Sequence, residues 1–157
     1  MGLRAHRAAA LCVLVLGVYL QVAEWIDLYP WNDVRQGNGQ ELLDIALAVA
    51  TGVLVGALWM SRRWAPLLAS WALSMWAWLQ AVTWWPPYFG GATPGWREVH
   101  ARWFDETIHI LPRDDLHLPP DANHITLQVL IVIALAACLN AAWRGFAEAD
   151  IAISHRV

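Results

Sequence analysis

The sequence has no lysine and few charged residues of any kind. All ten basic residues are arginine, thirteen residues are acidic, and charged residues make up only 15% of the 157-residue chain. Hydrophobic residues make up 59%, which is too apolar for a soluble domain of this size. The formal net charge is −3 and the arginines are scattered along the chain. Because they form no basic patch, we expect no nucleic-acid partner.

Cysteine is also scarce. Cys12 and Cys138 each lie inside an apolar run, and the sequence contains no CxxC motif. This absence argues against the quinone-linked disulfide oxidoreductases of membranes. No HExxH motif occurs, and no two histidines have the i, i+4 spacing of a helical metal site. We interpret both cysteines as small core residues, and no catalytic motif identifies an enzyme.

Long apolar runs, in contrast, are abundant. Four runs have close to the ~20 residues that a helix needs to cross a bilayer, and they lie at about 8–26, 42–60, 64–85 and 125–143. Each must be helical, because lipid offers no partner to a free backbone N–H or C=O group. We therefore predict an all-α fold, a polytopic four-transmembrane-helix bundle forming a single domain over residues 1–157. Ala48, Gly52 and Gly56 recur every fourth residue and predict a close helix contact.

The placement of arginine predicts the orientation of the chain. Six arginines fall in three short segments that must share one side of the membrane: Arg4, Arg7, Arg62, Arg63, Arg144 and Arg156. The other four are spread over the opposite side. Both termini are therefore expected in the cytoplasm. The exclusive use of arginine is associated with GC-rich bacterial genomes, so we expect a bacterial inner membrane. Several of the twelve tryptophans, among them Trp84 and Trp85, fit an interfacial belt.

The longest polar segment runs from residue 86 to 122, on the predicted outer side. Thr93 followed by Pro94 resembles a helix N-cap with proline at the first helical position. Apolar residues then recur at helical spacing until Pro112. This pattern predicts an amphipathic helix over about 94–111, lying in the outer interface or against the bundle. Asp121 is placed to cap the last span.

Polar residues near the outer helix ends are candidates for ligand binding. A carboxylate close to the hydrocarbon is costly unless it is paired, solvated or protonated, so Glu24 and Asp44 are candidates by depth alone. Trp71 and Trp78 lie at mid-membrane with heptad spacing and either pack against a helix or line a groove for a lipid, quinone or organic cation. The predicted ligand-binding set is Glu24, Asp44, Gln80, His124, Gln128, Trp71 and Trp78.

Four histidines and three aspartates on the outer side raise the possibility of a zinc or copper site. The best candidate ligands are His117, Asp121 and His124. On a helix over 94–111, His100 and His109 would lie on opposite faces, which separates them. The alternative interpretation is that all of these histidines are ordinary hydrogen-bonded residues.

Three functions remain open. The first is a pocket, walled by tryptophan at the outer face, that binds or passes a small ligand or cation. The second is a membrane enzyme that uses a divalent metal or an acid–base pair in the outer loop. The third is an accessory subunit that contacts other membrane subunits or a second copy of itself. Membrane lipid is the partner common to all three.

Overall fold

The computed structural model describes residues 2–32 and 41–154, and the side chains of 2–32 and 42–147. Five helices make up this part of the chain, which contains no strand, so the predicted all-α class is confirmed for it. The helices are α1 (Gly2–Trp25), α2 (Glu41–Trp59), α3 (Ala65–Gly90), α4 (Pro94–Trp103) and α5 (Ala122–Ser154). Arg156, used above to predict the orientation, lies outside the described residues.

Three of the helices are long and apolar enough to cross a membrane: Gly2–Trp25, Leu42–Trp59 and the Ala122–Ala147 part of α5. They identify the chain as a membrane-spanning protein. α1 begins about six residues before the predicted span, and α5 continues about ten residues past it. The difference is physical, because hydropathy marks the hydrocarbon region whereas helical hydrogen bonds continue through the flanking polar residues.

α3 has the length of a span, but its most apolar 18-residue stretch is less hydrophobic than those of these three helices. It runs five residues beyond the predicted end at Trp85 and includes Pro86 and Pro87. Its 26 residues contain five tryptophans, three prolines, two serines and no charged side chain. At 1.5 Å per residue this helix is about 39 Å long, enough for the ~30 Å of hydrocarbon in a bilayer.

The turn between α2 and α3 is a Schellman motif. The Arg62 N–H donates to the Ala57 carbonyl and the Ser61 N–H donates to the Leu58 carbonyl, both at 2.9 Å. Ser61 has a φ of 55°, the left-handed conformation that this motif requires at the residue after the C-cap. Glycine usually occupies that position, so serine is held there at a cost in backbone energy.

Small residues form the contacts between the long helices. α1 packs against both α2 and α5, and α3 packs against α5 and only lightly against α2. The core residues with no exposed surface include Ala9, Leu58, Ala69, Ala134 and Cys138. Cys138 is thus a small core residue, as predicted. Short side chains let helix backbones approach closely, which is how packing stabilises helices in a bilayer.

The predicted contact strip at Ala48, Gly52 and Gly56 is wrong. A Cβ atom added at Gly52 or Gly56 would meet nothing within 4 Å. The close approach of α1 and α2 is made instead by Gly17, where an added Cβ would lie 2.6 Å from Cγ2 of Thr51. Three small residues at i, i+4 spacing show that a helix can be approached, but they do not show which face is used.

α4 begins as predicted and ends early. The Thr93 hydroxyl accepts a hydrogen bond from the Trp96 N–H at 3.2 Å, with Pro94 in the first turn. The helix stops at Trp103, so the prediction that it extends to residue 111 is wrong. Thr107 turns the chain by donating to the Phe104 carbonyl at 2.7 Å, and the Ile108 N–H then donates to Pro30. Tertiary partners thus take the backbone groups that would have continued the helix.

Candidate functional site

Residues 91–121, here called the cap, close over the end of the helices where α1 and α3 end and α5 begins. Three backbone hydrogen bonds hold the cap together. The Ile108 N–H donates to Pro30 at 3.0 Å, the Ala122 N–H to Ile108 at 2.7 Å, and the Ala92 N–H to Leu116 at 2.7 Å. The cap also contains a buried stretch near its end, formed by Leu118, Pro119 and Pro120. This ordered backbone fixes the positions of the polar side chains described next.

Asp121, which is buried, and His124, which is partly buried, form a pair at the start of α5. One Asp121 oxygen accepts the His124 backbone N–H at 2.8 Å and lies 2.7 Å from His124 Nδ1. The other oxygen lies 3.0 Å from the Thr107 hydroxyl. Asp121 is 1% exposed, and burial alone would raise its pKa. The hydrogen bonds and charge interaction with His124, together with Thr107, outweigh burial and leave the pKa below its usual value. The predicted N-cap is confirmed.

Trp84 lies at the centre of the cap rather than in an interfacial belt, which corrects its predicted place. It is 3% exposed. Its ring centroid lies 4.3 Å from that of His124, 5.0 Å from Phe104 and 5.4 Å from Trp96. The two flanking aromatic rings meet it edge-on, the arrangement that aromatic quadrupoles favour. Trp84 therefore joins α3 to both α4 and α5.

His100 and His109 are neighbours, contrary to the prediction. Their ring centroids lie 5.4 Å apart, since α4 ends before His109 and the chain folds back. His100 is 1% exposed. The Nε2 atoms of both rings are buried and have no hydrogen-bonding partner among the described residues. Burial lowers the pKa of both imidazoles, and the positive charge of Arg113 acts in the same direction. Both rings are therefore neutral at neutral pH.

A second polar group ties α1 and the segment after it to the start of α5, and the sequence analysis missed it. The Trp31 indole N–H donates to the Tyr19 hydroxyl at 3.1 Å, and that hydroxyl donates to the Asn123 side chain at 2.6 Å. Asn32 is 5% exposed and donates to the carbonyls of Ala23 and Ile26 at 2.6 and 3.0 Å. Tyr19 is the one hydroxyl-bearing residue within an otherwise apolar stretch of α1. A polar group in such a stretch needs a hydrogen-bonding partner, and this was the only signal in the sequence.

The residues predicted to bind a ligand lie on four different helices and have different partners. Asp44 is buried on α2, where its carbonyl accepts a hydrogen bond from Gln21 at 3.4 Å. Gln128 on α5 instead accepts the Trp85 indole N–H at 3.2 Å. Glu24 is half-buried near the end of α1, and Gln80 and Gln128 each have one buried amide atom without a partner in the described chain. His124 belongs to the aromatic cluster around Trp84.

The two mid-helix tryptophans face outward. Trp71 is 67% exposed and Trp78 is 60% exposed, and Trp64 at the start of the same row is 51% exposed. They form a row along the outside of α3, left uncovered by the residues that the structure describes.

The predicted metal ligands do not form a site. His117 Nδ1 lies 2.9 Å from Asp114 in an exposed turn, whereas the partly buried His124 pairs with the buried Asp121. Over the side chains that the structure describes, no group of three or more His, Cys, Asp or Glu residues is arranged to hold a metal ion. A three-ligand zinc or copper site built on His117, Asp121 and His124 is not supported.

A groove of about 350 Å³ opens between the end of α3 and the cap. Its lining residues are Tyr88, Phe89, Pro112, Arg113, Asp114 and His117. Asp114 accepts backbone N–H groups from Leu116 and His117 at 2.8 and 2.7 Å. The hydrogen bond from the His117 side chain and these two N–H groups lower the pKa of Asp114 to about 2. Arg113 is paired with Asp105 at 2.8 Å.

No protein-family model matches the chain, and no curated protein or solved structure is significantly similar to it. The function is therefore argued from the residues and their geometry.

Proposed function

We propose that the protein crosses the membrane four times, with α3 as the additional span. Three properties of α3 support this proposal. It has the length of a span, contains no charged residue, and packs along the apolar helix α5. The short turn at Ser61 joins it to the end of α2, which is itself apolar enough to cross. A helix so connected and so packed lies alongside the other spans.

In the proposed orientation both termini are cytoplasmic and the cap lies on the outer side of a bacterial inner membrane. The arginine distribution supports this arrangement. Arg62 and Arg63 lie in the turn opposite the cap, and Arg4 and Arg7 lie in the first turns of α1 at that same end. The Arg7 guanidinium lies 5.4 Å from the centre of the Trp59 ring, which is suited to an interface.

We propose that the protein binds a small organic cation in the groove between α3 and the cap. The observation that carries the proposal is the combination of aromatic rings with a charged carboxylate in one opening. Tyr88 and Phe89 have ring centroids 5.0 Å apart, and Phe89 is 73% exposed. Aromatic faces attract cations, and quaternary ammonium groups are bound in this way.

The charges at the groove favour a cation over an anion. Asp114, with a pKa of about 2, is ionised at any physiological pH. The charge of Arg113 is offset by Asp105, with which it forms an ion pair. The carboxylate of Asp114 has His117 Nδ1 as its side-chain partner at 2.9 Å, and His117 adds a positive charge only when it is protonated. Because the rings of Trp85 and Phe89 are stacked at 5.6 Å beside the opening, an apolar substituent on the cation would find a surface to contact.

Binding of tetraphenylphosphonium to the protein in nanodiscs of zwitterionic lipid tests this proposal. Tetraphenylborate has the same shape and the opposite charge, and the binding of each probe is measured relative to empty nanodiscs of the same lipid, which report its non-specific partitioning. We expect saturable binding of the cation alone, weakened roughly tenfold by Asp114→Asn and unchanged by Asp115→Asn. Asparagine retains the acceptor oxygen of the turn, so the fold of the loop is preserved. Equal binding of the two probes, or an unaffected Asp114→Asn variant, would reject the proposal.

The exposed row on α3 supports a second candidate, an accessory subunit. Trp71 and Trp78 would contact another membrane protein or a second copy through their flat faces. Native mass spectrometry of the solubilised protein should then show a complex that Trp71→Leu with Trp78→Leu dissociates. Trp143→Leu, at a residue 76% exposed on α5, is the matched control. A monomer in all three samples would leave the row facing lipid.

A further inference from the structure

His117 lines the groove between α3 and the cap, where it pairs with the carboxylate of Asp114. Its Nδ1 atom lies 3.0 Å from one Asp114 oxygen and 2.9 Å from the other. The imidazole is 46% exposed and the carboxylate is 64% exposed. A titratable ring that is open to solvent thus lies against the carboxylate that we propose attracts the cation.

The pairing determines which nitrogen of His117 changes its protonation. The carboxylate of Asp114, whose pKa is about 2, carries no proton at physiological pH and can only accept hydrogen bonds. Nδ1 therefore holds a proton in both charge states of the ring, and Nε2 is the atom that gains or loses one. Because the hydrogen bond through Nδ1 is present in both states, protonation changes the charge of the groove and leaves the turn intact.

The other charged and titratable groups at the groove do not mask this proton. Arg113 is paired with Asp105 at 2.8 Å, so their charges offset each other. Tyr88 is the titratable side chain that α3 places at the groove, and phenols ionise only in strongly alkaline solution. These groups and Asp114 together therefore carry one negative charge when the imidazole of His117 is neutral, and no net charge when it is protonated.

We propose that a proton on Nε2 of His117 and an organic cation in the groove bind antagonistically, so that acid releases the cation. This inference rests on the proposed function and adds the regulation of that site. Histidine is the side chain whose charge changes between about pH 5 and 8. Binding of the cation is then strongest when the imidazole is neutral. By thermodynamic reciprocity, the bound cation must weaken the binding of the same proton by an equal factor.

The size of the effect is limited by the charge that the proton offsets. A protonated imidazole adds a positive charge beside the carboxylate, whereas Asp114→Asn removes the negative charge. Both leave the groove without net charge, so both should weaken cation binding to a similar degree. Because water screens charges as exposed as these, we expect binding to weaken by about threefold to tenfold between pH 8 and pH 5.

The test measures the dissociation constant of tetraphenylphosphonium at pH 8 and pH 5, with the protein in nanodiscs of zwitterionic lipid. Empty nanodiscs at each pH correct for partition into the lipid. His117→Gln keeps a side-chain donor for Asp114 but takes up no proton, so its two dissociation constants should be equal. His117→Arg has a fixed positive charge and should bind the probe weakly at both pH values. Calorimetry in two buffers with different heats of ionisation should detect proton release on binding in the parent and none in His117→Gln.

Opening of the cap in acid is the competing cause of weaker binding. His109→Gln is the matched control, because His109 does not line the groove, and it should keep the pH dependence of the parent. The proposal is overturned if the parent binds the probe equally at both pH values, if His117→Gln retains the dependence, or if His109→Gln loses it. An absence of saturable binding at every pH would reject the groove itself as a cation site, and this proposal with it.

Discussion

Gly17 on α1 and Thr51 on α2 make the closest approach between these two helices, since a Cβ atom at residue 17 would lie 2.6 Å from Thr51 Cγ2. Gly17→Leu should therefore destabilise the protein by about 1–3 kcal/mol, the usual cost of overpacking. Gly52→Leu is the matched control, because nothing lies within 4 Å of its Cβ position. Thermal unfolding in detergent measures both. Thr51→Ala should restore part of the stability that Gly17→Ala loses, because it removes the Cγ2 atom that the new Cβ meets. If the effects of the two changes on the free energy of unfolding simply add, this contact is contradicted.

The turn between α2 and α3 yields the second prediction. Ser61 has a φ of 55°, where a side chain costs roughly 1–2 kcal/mol that glycine does not incur. Ser61→Gly should raise the unfolding temperature, because it relieves the Schellman turn. The greater freedom of glycine in the unfolded chain offsets part of the gain. Ser74→Gly, at an exposed position inside α3, should lower the temperature instead. Equal shifts of the same sign would show that the turn does not limit stability.

Local signals predicted the ends of elements well where the residues involved are adjacent in sequence. Thr93 and Pro94 marked the start of α4, and Asp121 marked the start of α5. Such signals are local because an N-cap side chain accepts hydrogen bonds from backbone N–H groups two or three residues further along the helix. The end of α4 was not predictable in this way. It depends on the Thr107 hydroxyl reaching Asp121 and on the Ile108 N–H reaching Pro30, which are contacts across long stretches of chain.

The same limit explains the candidate site. A helix continuing to residue 111 would separate His100 from His109, whereas the fold brings their rings together. Three of the four predicted spans agree with the long apolar helices of the structure, because hydropathy depends only on the local sequence. Which face of each span is buried depends on the partner helix, so the sequence could not show that Trp71 and Trp78, expected to pack against a helix or to line a groove, are exposed.

The stability of the cap should depend on pH, and the sign follows from the lowered pKa values of His100 and His109. The unfolded rings bind protons near the ordinary histidine pKa of 6.5, whereas the folded rings bind them only at lower pH. The unfolded state therefore holds more protons between these values. Stability is complete above about pH 6.5 and falls as the pH is lowered through the folded pKa values.

Other charges set the width of that pH window. Arg113 faces both rings and Asp105 opposes it, while Asp121 acts on His109. Asp121, whose folded pKa is also lowered, contributes a separate loss of stability that begins near pH 3.8, the ordinary pKa of an aspartate. Amide hydrogen exchange at Ile108 and Ala122, followed from pH 7.5 to 5, measures the opening of the cap. His100→Gln with His109→Gln should flatten the profile above pH 5, and an unchanged profile in that variant would assign the effect to other groups.

The number of spans determines which side of the membrane the cap faces, and single cysteines can decide it. In a chain with Cys12→Ala and Cys138→Ala, cysteines are placed at Gly95 and at Met60. Gly95 is exposed with open space at its Cβ position, and Met60 is 66% exposed at the turn after α2. If α3 crosses the membrane, the two positions lie on opposite sides. With cytoplasmic termini, an impermeant maleimide should label only Gly95→Cys in intact cells, and Met60→Cys should react only after lysis. Labelling of both from outside would place α3 on the surface and reduce the spans to three. Labelling of Met60→Cys alone would keep four spans and reverse the orientation, so that the cap and its two histidines would face the cytoplasm.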